Sequence, residues 1–141
     1  MAHIIRNVAE VGYRVLGNLH GGCVLNVCPL MGSYPEVPEL AGNAEELGSP
    51  TQFIHYHKVP PKSEIANHKH EDSEEWYFFV KGTGVMYLDG DEHIVKPGDL
   101  ILTQAGGEHG FINTSGDFTE FLVSEIYLNP ERKKKHNQEA K

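Results

Sequence analysis

The 141-residue chain has two cysteines, one tryptophan and no apolar run near the roughly 18 residues of a membrane helix. Each shortage excludes something. Cys23 and Cys28 cannot make a disulfide framework or a thiolate zinc site by themselves. Met1–Arg6 does not read as a secretory leader, so both thiols are expected to be reduced and buried, and the expected compartment is the cytoplasm. Basic residues are also scarce, with 12 Lys and Arg against 20 Asp and Glu and a formal charge of −8. The tail from Glu131 holds five cations and two acids, so residues 1–130 sit near −11. An acidic body repels phosphate backbones, and neither nucleic acid nor membrane is an expected partner. Gly82-Thr83-Gly84 lacks the third glycine of a dinucleotide site, and His20-Gly21-Gly22 has no Gly-x-Ser-x-Gly nucleophile to serve. No internal repeat is present, which leaves one domain with 39% hydrophobic residues to build its core.

Histidine is what the chain does have. His68-Lys69-His70 is followed by Glu75, and His109 comes later with Asn113 behind it. In a strand, side chains two apart share a face about 6.5–7 Å apart, so two such imidazoles can close on one ion with bonds of about 2.0–2.2 Å. In a helix they would splay apart. The surroundings agree with a strand: Glu75–Lys81 is dense in aromatic and branched residues and ends at Gly82. Val85–Leu88 then runs into Asp89-Gly90-Asp91, a hairpin turn. Alternation from Glu75 puts Tyr77 and Phe79 on its face and Trp76, Phe78 and Val80 on the other. Both faces are apolar, which suits a small barrel packed inside and covered outside.

These residues resemble the two motifs of the cupins, small all-β proteins built as a double-stranded β-helix or jelly-roll barrel. Gly-(x)5-His-x-His-(x)3–4-Glu-(x)6-Gly is met by His68, His70, Glu75 and Gly82, with Lys62 in place of the opening glycine. Gly-(x)5-Pro-x-Gly-(x)2-His-(x)3-Asn is met by Gly98, Gly106, His109 and Asn113, with Gln104 in place of the proline. The resemblance implies an N-terminal arm over residues 1–50, a barrel over 51–128 and a short polar C-terminal tail over 129–141, expected to be solvated. Within the arm, 21–27 reads as an added edge strand and Glu39–Leu47 as one short helix. The resemblance also implies a homodimer.

By the same resemblance His68, His70, Glu75 and His109 are the metal ligands, with Glu74 the fallback for Glu75. Three imidazoles and a carboxylate with no thiolate suit one divalent transition metal ion, Mn, Fe, Co, Ni or Zn. An octahedral ion so held keeps two open positions, as catalytic metals do. A small-molecule ligand with adjacent oxygens, a carboxylate, 2-oxo acid or sugar, fits there. His55 and His57 share a face of a strand expected over Gln52–Val59. Facing inward they are candidate proton carriers or substrate donors; facing outward they are surface or interface residues. Tyr77 is either a hydrogen-bond donor to substrate or ordinary core. Phe79 and Gln104 are expected to line the pocket, with Gln104 at its mouth. Two function classes follow: a metalloenzyme performing dioxygenation, isomerisation or decarboxylation, and a metal-dependent binding protein without turnover.

Overall fold

The computed structural model describes residues 2–17 and 24–139. Gly21, Gly22 and Cys23, the opening of the edge strand expected over 21–27, lie outside them. After a single helical turn, α1 (Val8–Val11), the strands are β1 (Arg14–Leu16), β2 (Leu25–Gly32), β3 (Thr51–Val59), β4 (Glu64–Lys69), β5 (Ser73–Lys81), β6 (Gly84–Leu88), β7 (Asp91–Val95), β8 (Leu100–Thr103), β9 (Glu108–Ile112) and β10 (Thr119–Tyr127), followed by helix α2 (Pro130–Glu139). They form a six-stranded sheet, β1-β2-β3-β10-β5-β8, and a four-stranded sheet, β4-β9-β6-β7, all paired antiparallel. This is the expected all-β jelly roll, with the arm's strands β1 and β2 extending the larger sheet. No helix among the described residues is long and apolar enough to cross a membrane.

Alternation drives each strand into place. On β3 the inward row is Phe53, His55, His57 and Val59, and on β5 it is Ser73, Glu75, Tyr77 and Phe79. Phe79, Phe111 and Phe121 meet at centroid distances of 5.0–5.5 Å and are fully buried, forming the aromatic centre of the core. Polar inward residues are thus confined to one stretch of each strand, beyond this apolar centre. That segregation places the site.

Turn chemistry explains the motif glycines. Gly82, Gly98 and Gly106 all adopt φ between 81° and 93°, a region costly for residues with a Cβ. Lys62, which replaces the first motif's opening glycine, takes the same left-handed region at φ 65°. It sits in the Pro60-Pro61-Lys62-Ser63 turn, closed by Ser63 N donating to Pro60 O at 3.1 Å. Asn113, the last residue of the second motif, donates through Nδ2 to the carbonyls of Val59 and Asp117 and accepts from the Ser115 N–H and hydroxyl. Its role here is to tie β3 to the loop between β9 and β10.

Two expectations change. Glu39–Leu47 is not one helix but two separate 3-10 turns, Pro38–Leu40 and Ala44–Glu46. Gly42 interrupts them because it packs against the Gly32 carbonyl with no room for a side chain. The tail is not a solvated end either. One side of α2 buries Lys133, His136 and Asn137. Lys133 Nζ donates to the carbonyls of Leu47 and Ser49, His136 joins Tyr127 Oη to Glu36 Oε1 at 2.7 Å each, and Asn137 Oδ1 accepts from Gln52 Nε2 at 2.9 Å. The amphipathicity is carried by polar groups reaching backbone carbonyls and buried polar side chains, which an apolar-stripe reading does not detect.

Candidate metal centre

His68 lies near the end of β4, His70 one residue past it, Glu75 on β5 and His109 on β9. The smaller sheet supplies His68 and His109 as a directly opposed cross-strand pair, and the larger sheet aims Glu75 at them from across the barrel. One ligand atom from each of the four residues falls within 4.8 Å of all the others. His109 Nε2 is 3.0 Å from Glu75 Oε1 and 3.1 Å from His68 Nε2; His68 Nε2 and His70 Nε2 are 4.0 and 3.9 Å from the Glu75 carboxylate oxygens. Around an octahedral ion with bonds of about 2.1 Å, neighbouring donors are about 3.0 Å apart and opposed ones about 4.2 Å. These separations fall inside that interval, so the donor set could hold one metal ion. Glu74 is not part of the cluster.

The outer faces of the three rings are also held. His68 Nδ1 donates to the Ala66 carbonyl at 2.8 Å, His109 Nδ1 lies 2.9 Å from Thr103 Oγ1, and His70 Nδ1 lies 3.1 Å from Glu125 Oε2. Engaging every Nδ1 turns every Nε2 toward the common centre, the arrangement that fixes tautomer and orientation in histidine metal sites. Burial by itself would raise the Glu75 carboxyl. The His109 hydrogen bond, with the charges of His109, His70 and His68, outweighs it and holds the group down at about 2. Glu125 goes the other way, pushed up to about 8 by burial and by Glu75, against a lowering hydrogen bond from Ser73. Burial and the Glu75 carboxylate, to which it hydrogen-bonds, raise the Tyr77 phenol far above its ordinary range.

Beside Glu75 lies a cavity of about 30 Å³, lined by Tyr34, Phe53, His55, His57, Tyr77 and Val123 among others. That is space for two or three waters. His55 and His57 both face inward, His55 stacked on Phe53 at 4.0 Å and His57 on Phe121 at 5.1 Å. Burial, then the neighbouring His57, lowers the His55 pKa to about 3, so its ring is neutral at ordinary pH. Its Nε2 is buried with no hydrogen-bond partner among the described residues.

Two expected pocket residues lie elsewhere. Phe79 does not line the cavity; it is fully buried in the core against Phe111 and Phe121. Gln104 is exposed, on an outer groove with Leu102, Gly106 and Glu108. The reason is register: Glu75 pairs with Thr103 and Trp76 with Leu102, so Thr103 turns inward while Leu100 and Leu102 turn out. Sequence reading missed Thr103, Glu125 and Tyr34. Glu125 left a signal, an acid at an inward position of the row Thr119, Phe121, Val123, Glu125, Tyr127. Tyr34 left none, because it comes from a loop that only the tertiary fold brings over the barrel.

Comparison with known proteins gives the same picture. An oxalate-binding protein of Thermotoga maritima is 38% identical over 71 residues, 50% of this chain and 59% of that protein. A 5-nitrosalicylic acid 1,2-dioxygenase of Bradyrhizobium is 29% identical over 83 residues, 58% of this chain and 40% of that one. The matches therefore span about half the length of these curated relatives. Among solved structures, a predicted oxalate decarboxylase of Thermotoga maritima superposes with a TM-score of 0.78 at 26% identity, covering 89% of this chain and all of that one. A polyketide cyclase of Streptomyces resistomycificus gives 0.67 at 20% identity over 89% and 79%, a likeness of fold alone. The sequence profile of the cupin domain matches residues 55–125, half of the chain and the whole span of the four ligands. With motifs, jelly roll and histidine cluster all in agreement, the chain belongs to the cupin family.

Proposed function

We propose that this cupin is a metalloenzyme that chelates a small oxygen-rich substrate at the His68–His70–Glu75–His109 centre. The observation that carries it is the convergence of four donors beside a cavity with room for only two or three waters. The oxalate-binding relative favours a small carboxylate as that substrate. A bound divalent ion would supply Lewis-acid polarisation of a chelated carboxylate or keto oxygen, and an open position for dioxygen if it is redox-active. The chain's own groups do the rest. Tyr77 donates a hydrogen bond to Glu75 and steadies that ligand. His55, neutral and with an Nε2 that has no partner among the described residues, can exchange a hydrogen bond with a substrate oxygen in the cavity; His57 stands next to it. For oxalate, decarboxylation would break the C–C bond, release carbon dioxide and leave formate once the carbon takes a proton from solvent.

The second reading is metal-dependent binding without turnover, favoured by the Thermotoga maritima relative being an oxalate-binding protein. One experiment separates the two. Metal content is measured by plasma mass spectrometry on protein purified without chelator or nickel, and the loaded protein is then incubated with oxalate under air and under nitrogen. Formate or carbon dioxide supports the enzyme. Calorimetric binding with no product supports the binder. No metal uptake on reconstitution refutes both.

We also propose a homodimer formed through the outer face of the larger sheet. Trp76, Phe78, Leu100, Leu102 and Leu122 form an apolar patch there, with Glu74 its one charged neighbour in that lining and Phe78 38%, Leu100 63% and Leu102 51% exposed. A molecule of charge −8 meets its own copy most cheaply through a surface that carries almost none of that charge. Light scattering on Leu102→Glu should show a monomer; an unchanged mass for wild type and variant would remove this proposal.

A further inference from the structure

Glu75 and Glu125 are register partners, facing each other across β5 and β10 inside the barrel, 6% and 2% exposed. Two buried carboxylates directly opposed repel each other, and such a pair persists only where cations or protons separate them. His70 stands between them. Its Nε2 looks toward Glu75 Oε2 at 3.9 Å, and its Nδ1 toward Glu125 Oε2 at 3.1 Å. The same Glu125 oxygen accepts from Ser73 Oγ at 3.0 Å, so the carboxylate is itself held in place. The other two histidines lean on uncharged acceptors, the Ala66 carbonyl and the Thr103 hydroxyl. Glu125 thus puts a carboxylate behind the His70 ring.

We propose that Glu125 is a positioning residue of the metal centre, holding the His70 ring through the contact between its Nδ1 and Glu125 Oε2. This rests on the metal reading given above. A carboxylate behind an imidazole fixes its tautomer and raises its basicity as a ligand, and loss of such a partner costs about 10- to 100-fold in metal affinity. The Ser73 hydroxyl donates to the Glu125 oxygen that meets His70, so His70, lying just past the end of β4, is held in part from β10.

The test uses the full chain and Co(II) alone, titrated by visible absorption in competition with a chromophoric chelator. Glu125→Gln is compared with wild type and with Glu74→Gln, the neighbouring acid outside the cluster. The expected result is a 10- to 100-fold weaker Co(II) affinity and a shifted ligand-field spectrum in Glu125→Gln, with Glu74→Gln like wild type. A second measurement on wild type covers the case of a variant that does not fold. In the Zn(II)-loaded protein, nitrogen–proton NMR should show a slowly exchanging proton on His70 Nδ1, a signature that mere packing by Glu125 would not produce. Equal affinity in wild type and Glu125→Gln, or a His70 Nδ1 without a proton, overturns the role of Glu125 and leaves the metal centre standing. Failure of wild type to take up Co(II) overturns the metal reading itself.

Discussion

His55 offers a perturbation whose size follows from the structure. Its ring is 2% exposed and stacked on Phe53, and its folded pKa of about 3 lies far below the ~6.5 of an unfolded histidine. A group with a depressed folded value gives stability that is fully present above the unfolded pKa and is lost as pH falls toward the folded one. At pH 5 the unfolded chain gains RT ln(1 + 10^1.5), about 2 kcal/mol, from protonating this residue, while the native state gains almost nothing. His55→Phe removes that gain and keeps an aromatic ring on Phe53. Thermal unfolding of the metal-free protein at pH 8 and pH 5 should therefore show wild type losing about 2 kcal/mol more than the variant, near 8 °C at about 4 °C per kcal/mol. Glu125 acts with the opposite sign. Its folded value of about 8 stabilises the protein at low pH, and that stabilisation is lost as pH rises through 8. It is common to both proteins and cancels in the difference. Parallel losses in wild type and variant between pH 8 and pH 5 would refute the buried, neutral His55.

Four further outcomes are expected. His109→Ala should lose most of its metal in plasma mass spectrometry while circular dichroism still reports a folded barrel; undiminished metal would undo the four-ligand assignment. Saturating the wild-type site at 100 times the dissociation constant should add about 2.7 kcal/mol to stability, and excess chelator should reverse the shift in melting temperature. Lys62→Gly should stabilise the protein by roughly 0.5–1 kcal/mol in urea unfolding, because glycine accepts φ 65° without the left-handed penalty, partly offset by its greater unfolded freedom. Asn113→Ala should cost about 2–3 kcal/mol in the same assay without changing metal stoichiometry, since it orphans buried donors and acceptors away from the ligands.

Much of the fold and the ligand set was legible because both are local. Strand alternation around Glu75 puts Tyr77 and Phe79 inward, and the His-x-His spacing needs only an extended backbone to place two rings on one side. Gln104 shows where parity fails. Counting from Leu100 and Leu102 gives the right alternation but not which face is inside, and pairing with β5 decides that, turning Thr103 in and Gln104 out. Phe79 has the right face but the wrong depth: one strand residue beyond Tyr77 on the same side is already in the aromatic core. Position along a strand depends on how the opposite sheet closes over it, information that lies more than thirty residues away. Tyr34 and the residues of α2 belong to the same class. They are placed by contacts 85 and 100 positions apart, such as Gln52 to Asn137 and Glu36 to His136, which no window of sequence contains.

Those long-range ties from α2 have a consequence for how such proteins diversify. Lys133, His136 and Asn137 clasp segment 33–52, and that segment carries Tyr34 and Leu40 to the cavity wall. The four ligands all lie within the family match of residues 55–125, whereas this roof lies outside it. The candidate ligands and the floor of the cavity thus lie in one stretch of the chain, and Tyr34, Leu40 and Phe53 of its wall in another. A lineage can redraft the roof, residue by residue, without disturbing the histidine cluster beneath it. Among relatives, chamber size should therefore drift with the two flanks while the histidines stay where they are.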